Sequence, residues 1–425
     1  MKKILSAVLI SVVSSLTAFA QLRPASRYLD IGIDADFGFS QNTFGITEVL
    51  VEHLEVDLTE MADAMTDEGL VFAFGTEEKF FVNINTGDDK NKGFGFYLDV
   101  NGTGRFTTGK GLFDFLGHGN ADGKISTALS AQSEMFIETG ATIKTKIGKF
   151  GWTFKPAYYI PVYYLPYTKM SMDVSTEDAG YTLRAYGTAE YSVHSNFDLR
   201  KAFDEDFKYV GTSALMSALK DDAPAILSGG GISFGAECEY QLFNTLCVAA
   251  YTDIPVIAGR LKYETAGSAT VEATLGTVLD CVGTDESLEK SWSKDLNLGE
   301  TKTSTYKVRT PFRLGVEAAW RPFGDWCTFR PLLGIAARNP WGDDFSKEES
   351  IFFEYELRAE MAVLYFMKFN FASLYRNEIF SQHFGFGLNF RLFELGVDFA
   401  TCGADFAKTW SISGLEAKAG IRFGF

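Results

Sequence analysis

The chain holds only four histidines, His53, His118, His194 and His383. An imidazole beside a serine hydroxyl or a carboxylate can move the proton that hydrolysis requires. No recognisable motif surrounds any of the four. Solvated side chains are therefore the expectation, with His194 and His383 the two candidates for a hydrolytic rim site. Asp99, Asn101, Thr103 and Gly104 imitate the opening of a calcium loop, but the twelfth position, which should be glutamate, is Lys110. Gly229-Gly230-Gly231 opens an extended run rather than a helix, so it is not a phosphate loop. Five cysteines (Cys238, Cys247, Cys281, Cys327 and Cys402) are odd in number and lack CxxC spacing. They suit neither a disulfide framework nor a zinc site and read as small packing residues. The expectation is a chain with no metal, no cofactor and no catalytic centre.

Charge is more informative. Acids outnumber bases by 55 to 39, a formal net charge of −16 over 425 residues. That sign is opposite to the basic footprint nucleic acid needs, so no nucleic-acid partner is expected. Lys2-Lys3 precedes an apolar run from Ile4 to Ala20, with Ala18 and Ala20 at the small positions. This reads as a secretory signal over residues 1–20, cleaved after Ala20, leaving a single exported domain over 21–425. The run is shorter than the roughly 20 residues that cross a bilayer as a helix, and no later apolar stretch is as long.

Charged groups inside such a protein must be held by strands. Leu29, Ile31, Ile33, Ala35, Phe37 and Phe39 interleave with Asp30, Gly32, Asp34, Asp36 and Gly38; Phe312, Leu314, Val316, Ala318 and Trp320 interleave with Arg313, Gly315, Glu317 and Arg321. Alternation places successive side chains on opposite faces. Runs this long exceed the five or six residues typical of soluble strands. With lipid outside and packed polar groups or water inside, they suit an all-β, transmembrane antiparallel β-barrel. Closure is obligatory, because an open edge in hydrocarbon leaves backbone groups unsatisfied. The pattern predicts about 16 strands, among them 151–164, 167–175, 305–321 and 326–338, with every tight turn on one side. The number falls to 14 if the Pro156-to-Val174 region is one long strand.

On the expected inner face, Lys307, Arg309, Arg313, Arg321, Arg330 and Arg338 fall on two adjacent strands. Asp30, Asp34 and Asp36 fall on the first strand, and Glu134 and Glu138 on the fourth. Opposed across a lumen, these charges would make a transverse field that orients dipolar solutes. The competing reading is that they pair with neighbours such as Glu354, Glu356 and Glu360 and fill a narrow barrel. Helical periodicity over Ile46–Met65 and Phe203–Ala218 predicts amphipathic inserts in long extracellular loops, as cap or plug. Residues 107–132 and 269–304 read as further polar inserts. Trp152, Trp320 and Trp326 are expected at the periplasmic rim and Trp410 at the other.

The last strand puts Leu415, Ala417, Ala419, Ile421, Phe423 and Phe425 on one face. This resembles the C-terminal signature of Gram-negative-type outer-membrane barrels. The resemblance implies that Ile421, Phe423 and Phe425 form an assembly signal read by the barrel-assembly machinery. Two segments, FKPAYYIPVYYLP (154–166) and GGGISFGAECEYQLFNTLCVAAYTDIP (229–255), resemble uncharacterised barrel proteins of treponemes and related spirochaetes. A more distant likeness is to long-chain fatty-acid transporter barrels, which have fourteen strands and a plug. Here the first strand starts about eight residues after the expected cleavage site, leaving no room for that family's N-terminal hatch. The expected function is a porin-like channel in outer-membrane lipid for passive passage of small solutes. The alternatives are a plugged barrel that displays its loops, uptake of hydrophobic substrates, and a rim-histidine hydrolase.

Overall fold

The computed structural model describes residues 27–425 except 43–58, 60–61, 64, 66–68, 87–91, 119–123, 178–181, 202–209, 276–291 and a few turn residues (325, 347–349, 365, 377–378, 391, 404–405 and 412). The signal segment, nearly all of the helix expected over 46–65, Phe203, Phe207, His53 and Cys281 lie outside the described residues.

The described strands, in chain order, are β1 (Leu29–Gln41), β2 (Leu70–Thr86), β3 (Lys92–Thr108), β4 (Lys124–Ile147), β5 (Phe150–Glu177), β6 (Thr182–Ser195), β7 (Gly231–Phe243), β8 (Leu246–Ile257), β9 (Gly259–Leu275), β10 (Trp292–Val308), β11 (Phe312–Trp320), β12 (Cys327–Ala337), β13 (Ile351–Leu364), β14 (Met367–Arg376), β15 (Ile379–Asn389), β16 (Phe393–Gly403) and β17 (Gly414–Gly424). Three short helices, α1 (Lys110–His118), α2 (Thr212–Asp221) and α3 (Ala223–Ser228), lie between strands. All pairings are antiparallel. The ring runs β1 to β5, then β7, β8 and β11 to β17, and closes through β17 on β1. That is a closed barrel of 14 strands, the lower of the two expected numbers. It arises because residues 151–175 form one strand, β5, rather than two, and because the strand expected over 181–194 leaves the ring.

The other three strands, β6, β9 and β10, form a sheet that branches from β5. The first ten residues of β5 pair with β7, and residues from Tyr163 onward pair with β6. Pro161 stands at the fork and Pro166 just beyond it, where neither can donate to a ladder. Asn196 holds the fork: its backbone N–H donates to Val162 O, its Nδ2 to Pro161 O at 2.8 Å, and its Oδ1 accepts from Lys262 N at 3.1 Å.

This branch corrects two expectations. The segment 305–321 is not one strand, since β10 ends at Val308 and β11 starts at Phe312. Lys307 and Arg309 therefore leave the ring, and Arg321 falls in the turn beyond β11. The described residues of 269–304 are also strand rather than a polar insert, as is 124–132. Strands that project past the lipid need no apolar face, so the contrast that marks a membrane strand is missing from them.

The alternation holds around the ring. On β11, Leu314 and Val316 point outward and are more than half exposed, while Arg313 and Glu317 point inward. Outward-facing Phe, Ile and Leu on the ring strands make a continuous apolar belt, the surface an outer-membrane-type barrel presents to lipid. Short turns gather at the end that carries both termini of the ring, the periplasmic end of such barrels. Trp320, Trp326 and Trp410 are exposed, the first two at the short-turn end and the third at the opposite rim.

Candidate functional site

The ring turns its charged residues into the lumen, and the register decides whom each one meets. Asp36 and Lys418 are direct cross-strand partners on β1 and β17, 2.5 Å apart. Arg422 lies 3.4 Å from Asp34. On the far wall Arg330 sits between Glu317 (3.3 Å) and Glu360 (3.4 Å), and Arg313 meets Glu354 at 3.4 Å. Arg338, just past β12, reaches Glu134 on β4 at 3.4 Å. Four ring strands separate β4 from β12, so that contact crosses the lumen. Asp30 lies 3.7 Å from Arg27, and Glu138 accepts from the Tyr97 and Ser233 hydroxyls.

The expected lumen residues thus divide. Asp30, Asp34, Asp36, Glu134, Glu138, Arg313, Arg330 and Arg338 come together in the lumen: most pair with a neighbour, Glu134 and Arg338 pair across the lumen, and Glu138 is held by hydroxyls. Lys307, Arg309 and Arg321 do not join them, and Arg309 instead donates to Trp341 O in the loop after β12. An ion pair's field falls off as a dipole, so a lumen of pairs has far less transverse field than two opposed single-sign walls.

Near the extracellular end aromatic side chains cluster inside the ring. Tyr159, inward on β5, is fully buried. Its hydroxyl donates to Ile257 O at 2.8 Å, lies 3.3 Å from Val308 O, and accepts from Gly259 N at 3.0 Å. One side chain therefore ties the ring wall to both the start of β9 and the end of β10. Phe136, Tyr164, Leu261, Val308 and Tyr306 pack around it. Tyr306 stacks on Tyr164 and on His194, the latter with ring centroids 3.8 Å apart, and the Tyr164 hydroxyl donates to Asp344. Gly230 and Gly231 have a packing role here: a Cβ on either would lie 2.4 Å or less from the rings of Tyr158 and Tyr159.

Outside the membrane Asp222, between α2 and α3, anchors the extension. It accepts from the Tyr263 hydroxyl at 2.7 Å and lies within 3.7 Å of the Lys262 and Lys201 ammonium groups. Burial opposes its charge, but these donors and the backbone N–H of Asp198 hold its carboxyl below the ordinary value. Burial also lowers the pKa of His194, against the pull of Glu264 and Asp344, so the stacked ring is neutral.

His118 closes α1 and contacts Asp63 at 3.1 Å on the surface. Asp99 lies within β3 and pairs with Lys79 at 3.0 Å rather than opening a loop. His383 faces the lumen near the outer end of β15, between Ser381 and Asp398. Tyr159, Asn196, Asp222 and Asp398 were missed by the sequence reading, because their partners lie far away in the chain. The paired prolines of β5 were the one available signal for the fork. An apolar groove of about 850 Å³ on the lipid-facing side of β11–β15 is lined by Trp320, Phe329, Leu357, Phe371, Phe384 and Trp410. Arg330, Arg358 and His383 also contribute to its lining.

No family model matches the chain and no curated protein does. Solved barrels do. The toluene transporter TbuX of Ralstonia pickettii is similar over 94% of this chain and 90% of its own, at 9% identity and a TM-score of 0.40. A ΔS2S3 mutant of the monoaromatic hydrocarbon channel TodX is similar over 97% and 98%, at 9% identity and 0.45. The translocator domain of the autotransporter NalP from Neisseria meningitidis is similar over 100% and 96%, at 9% identity and 0.32. At such scores the function must be argued from this chain's own residues. None of these comparisons supports the likeness of the two segments to spirochaete proteins.

Proposed function

We propose that the protein is an outer-membrane channel for small, weakly polar solutes, held closed here by the β6–β9–β10 extension. The observation that carries this reading is Tyr159, buried in the lumen and bonded to the backbone on both sides of the β9–β10 hairpin. The solute class follows from the lining. A molecule passing the seal meets the faces of Phe136, Tyr164, Tyr306 and His194, then a wall whose charges are already paired. Aromatic faces favour flat apolar or weakly polar molecules, and a paired wall gives no strong preference for either sign of ion. TbuX and TodX are described as a toluene transporter and a monoaromatic hydrocarbon channel; the aromatic lining, not that likeness, carries the reading. A porin with a free transverse field fits less well, because its opposed charges are taken up in pairs.

The test is conductance in a planar bilayer. The wild-type barrel should be mostly closed with brief openings, and Tyr159→Ala should lengthen them. A steady, large conductance that is the same in both proteins would refute closure by the extension.

A further inference from the structure

Below the extracellular mouth, on the wall opposite the fork, Ser381 and His383 are the third and fifth residues of β15 and share its inward face. Asp398 lies beside them on β16. Ser381 Oγ is 2.8 Å from His383 Nε2, and His383 Nδ1 is 2.8 Å from Asp398 Oδ1. Asp398 accepts a further bond on Oδ2 from Asn370 Nδ2 at 3.1 Å. The partners fix the tautomer: Nδ1–H donates to the carboxylate, and Nε2 accepts from the hydroxyl.

The local sequence builds this line. His383 is flanked across the sheet by Ala372 and Ala400, which leave the imidazole room. Gly385 is the partner of both Asn370 and Asp398, and a Cβ there would stand 2.2 Å from Asn370 Nδ2. Glu416 Oε2 lies 3.6 Å from Nε2, a second carboxylate to stabilise an imidazolium. Arg358 is the partner of Ala372 on its other side, so it lies level with His383, and its buried Nη1 makes no hydrogen bond. Arg358 Nε is engaged by Glu356 at 2.5 Å. A nucleophile bonded to a base that a carboxylate orients is the arrangement of acyl transfer.

We propose that Ser381 is a nucleophile, with His383 as its base and Asp398 as the group that positions the base, and that the barrel hydrolyses small carboxylic esters that enter the lumen. The Ser381 proton passes to His383 Nε2 as Oγ bonds to the ester carbonyl carbon. The carbon–oxygen bond to the alcohol then breaks, and His383 returns the proton to the departing oxygen. Water attacks the acyl-serine in the same way, releases the carboxylic acid and restores Ser381.

The test uses the purified full-length barrel and a short-chain fluorophosphonate, whose phosphorus bonds to the serine oxygen as fluoride leaves. Mass spectrometry should find the adduct on Ser381, and the same protein should release p-nitrophenolate from p-nitrophenyl acetate. Ser381→Ala should abolish both, and His383→Ala should slow both about a hundredfold. Heat-modifiable migration checks that each variant is a folded barrel. The open variant Tyr159→Ala is labelled in parallel, so that a closed lumen is distinguished from an inert serine. No adduct on Ser381 in either the wild type or Tyr159→Ala would overturn the proposal, as would ester cleavage unchanged by Ser381→Ala. Conductance is read separately, so the channel reading stands or falls on its own measurement.

Discussion

The wall formed by β2–β5 and the wall formed by β11–β17 solve different problems with the same alternation. The first is tall: β2 and β3 have 17 residues each, β4 has 24 and β5 has 28. A tilted strand needs only about 9–11 residues to cross a bilayer, so β4 and β5 rise well beyond it and carry the extension. The second is short, with strands of 9 to 14 residues, and its lumen face is a ladder of ion pairs, as at Arg330 with Glu317 and Glu360. The tall wall meets the extension through aromatic rings and backbone atoms, whereas within the ring charges pair mostly one or two strands away, with Glu134 and Arg338 joining the two walls. Contacts of the first kind can separate as a unit. Those of the second kind are part of the ring itself.

That contrast sets the order of expected effects. Deleting Phe425 should be the most severe, because its carbonyl accepts from Tyr28 and Leu29 N–H at the seam and its ring sits on the lipid face. No heat-modifiable barrel should be recovered; a normal yield would refute a role for the terminal aromatic in assembly. Next, Leu314→Arg on the short wall's lipid face should destabilise by about 2–4 kcal/mol in urea titrations into lipid. Glu317→Gln, inward on the same strand, should cost clearly less. Equal costs would mean that β11 does not face lipid as its parity requires. Gly315 is unsuitable for this comparison, since a Cβ there would stand 2.6 Å from the Tyr251 ring.

Acid should distinguish the walls more gently. His194 has a lowered pKa in the closed form, so its contribution to closure is complete above the ordinary imidazole value of 6.5 and is lost as pH falls through the lower, folded value. Asp222, also lowered, acts in the same direction at more acidic pH. Open probability should therefore rise on acidification, and the part of the rise nearest neutrality should disappear in His194→Phe, leaving the more acidic part that Asp222 sets. A pH-independent open probability would remove His194 from the seal. The smallest effect is expected for Asp34→Asn combined with Arg422→Gln, which should barely move the reversal potential because it removes a whole ion pair and leaves no net charge behind. A large shift would restore the transverse-field reading.

Period-two alternation made the ring legible from the sequence, since lipid on one side and packed charge on the other force every second side chain apart. The parity of Leu314 and Val316 and the terminal face ending in Phe425 follow from that alone. The fork at Pro161 was less visible, because β9 and β10 leave the lipid and lose the apolar face that identifies a strand.

The sequence by itself determined that the chain closes into a membrane barrel and, along the strands of the ring, which side chains alternate inward, because these depend on local spacing and the polarity of the surroundings. Only the tertiary structure decided that fourteen strands form the ring, that most inward charges meet as pairs, that Tyr159 bonds to the ends of β9 and β10, and that Ser381 and His383 line up with Asp398. Each of these depends on register between strands distant in sequence, and a shift of one residue would replace every partner.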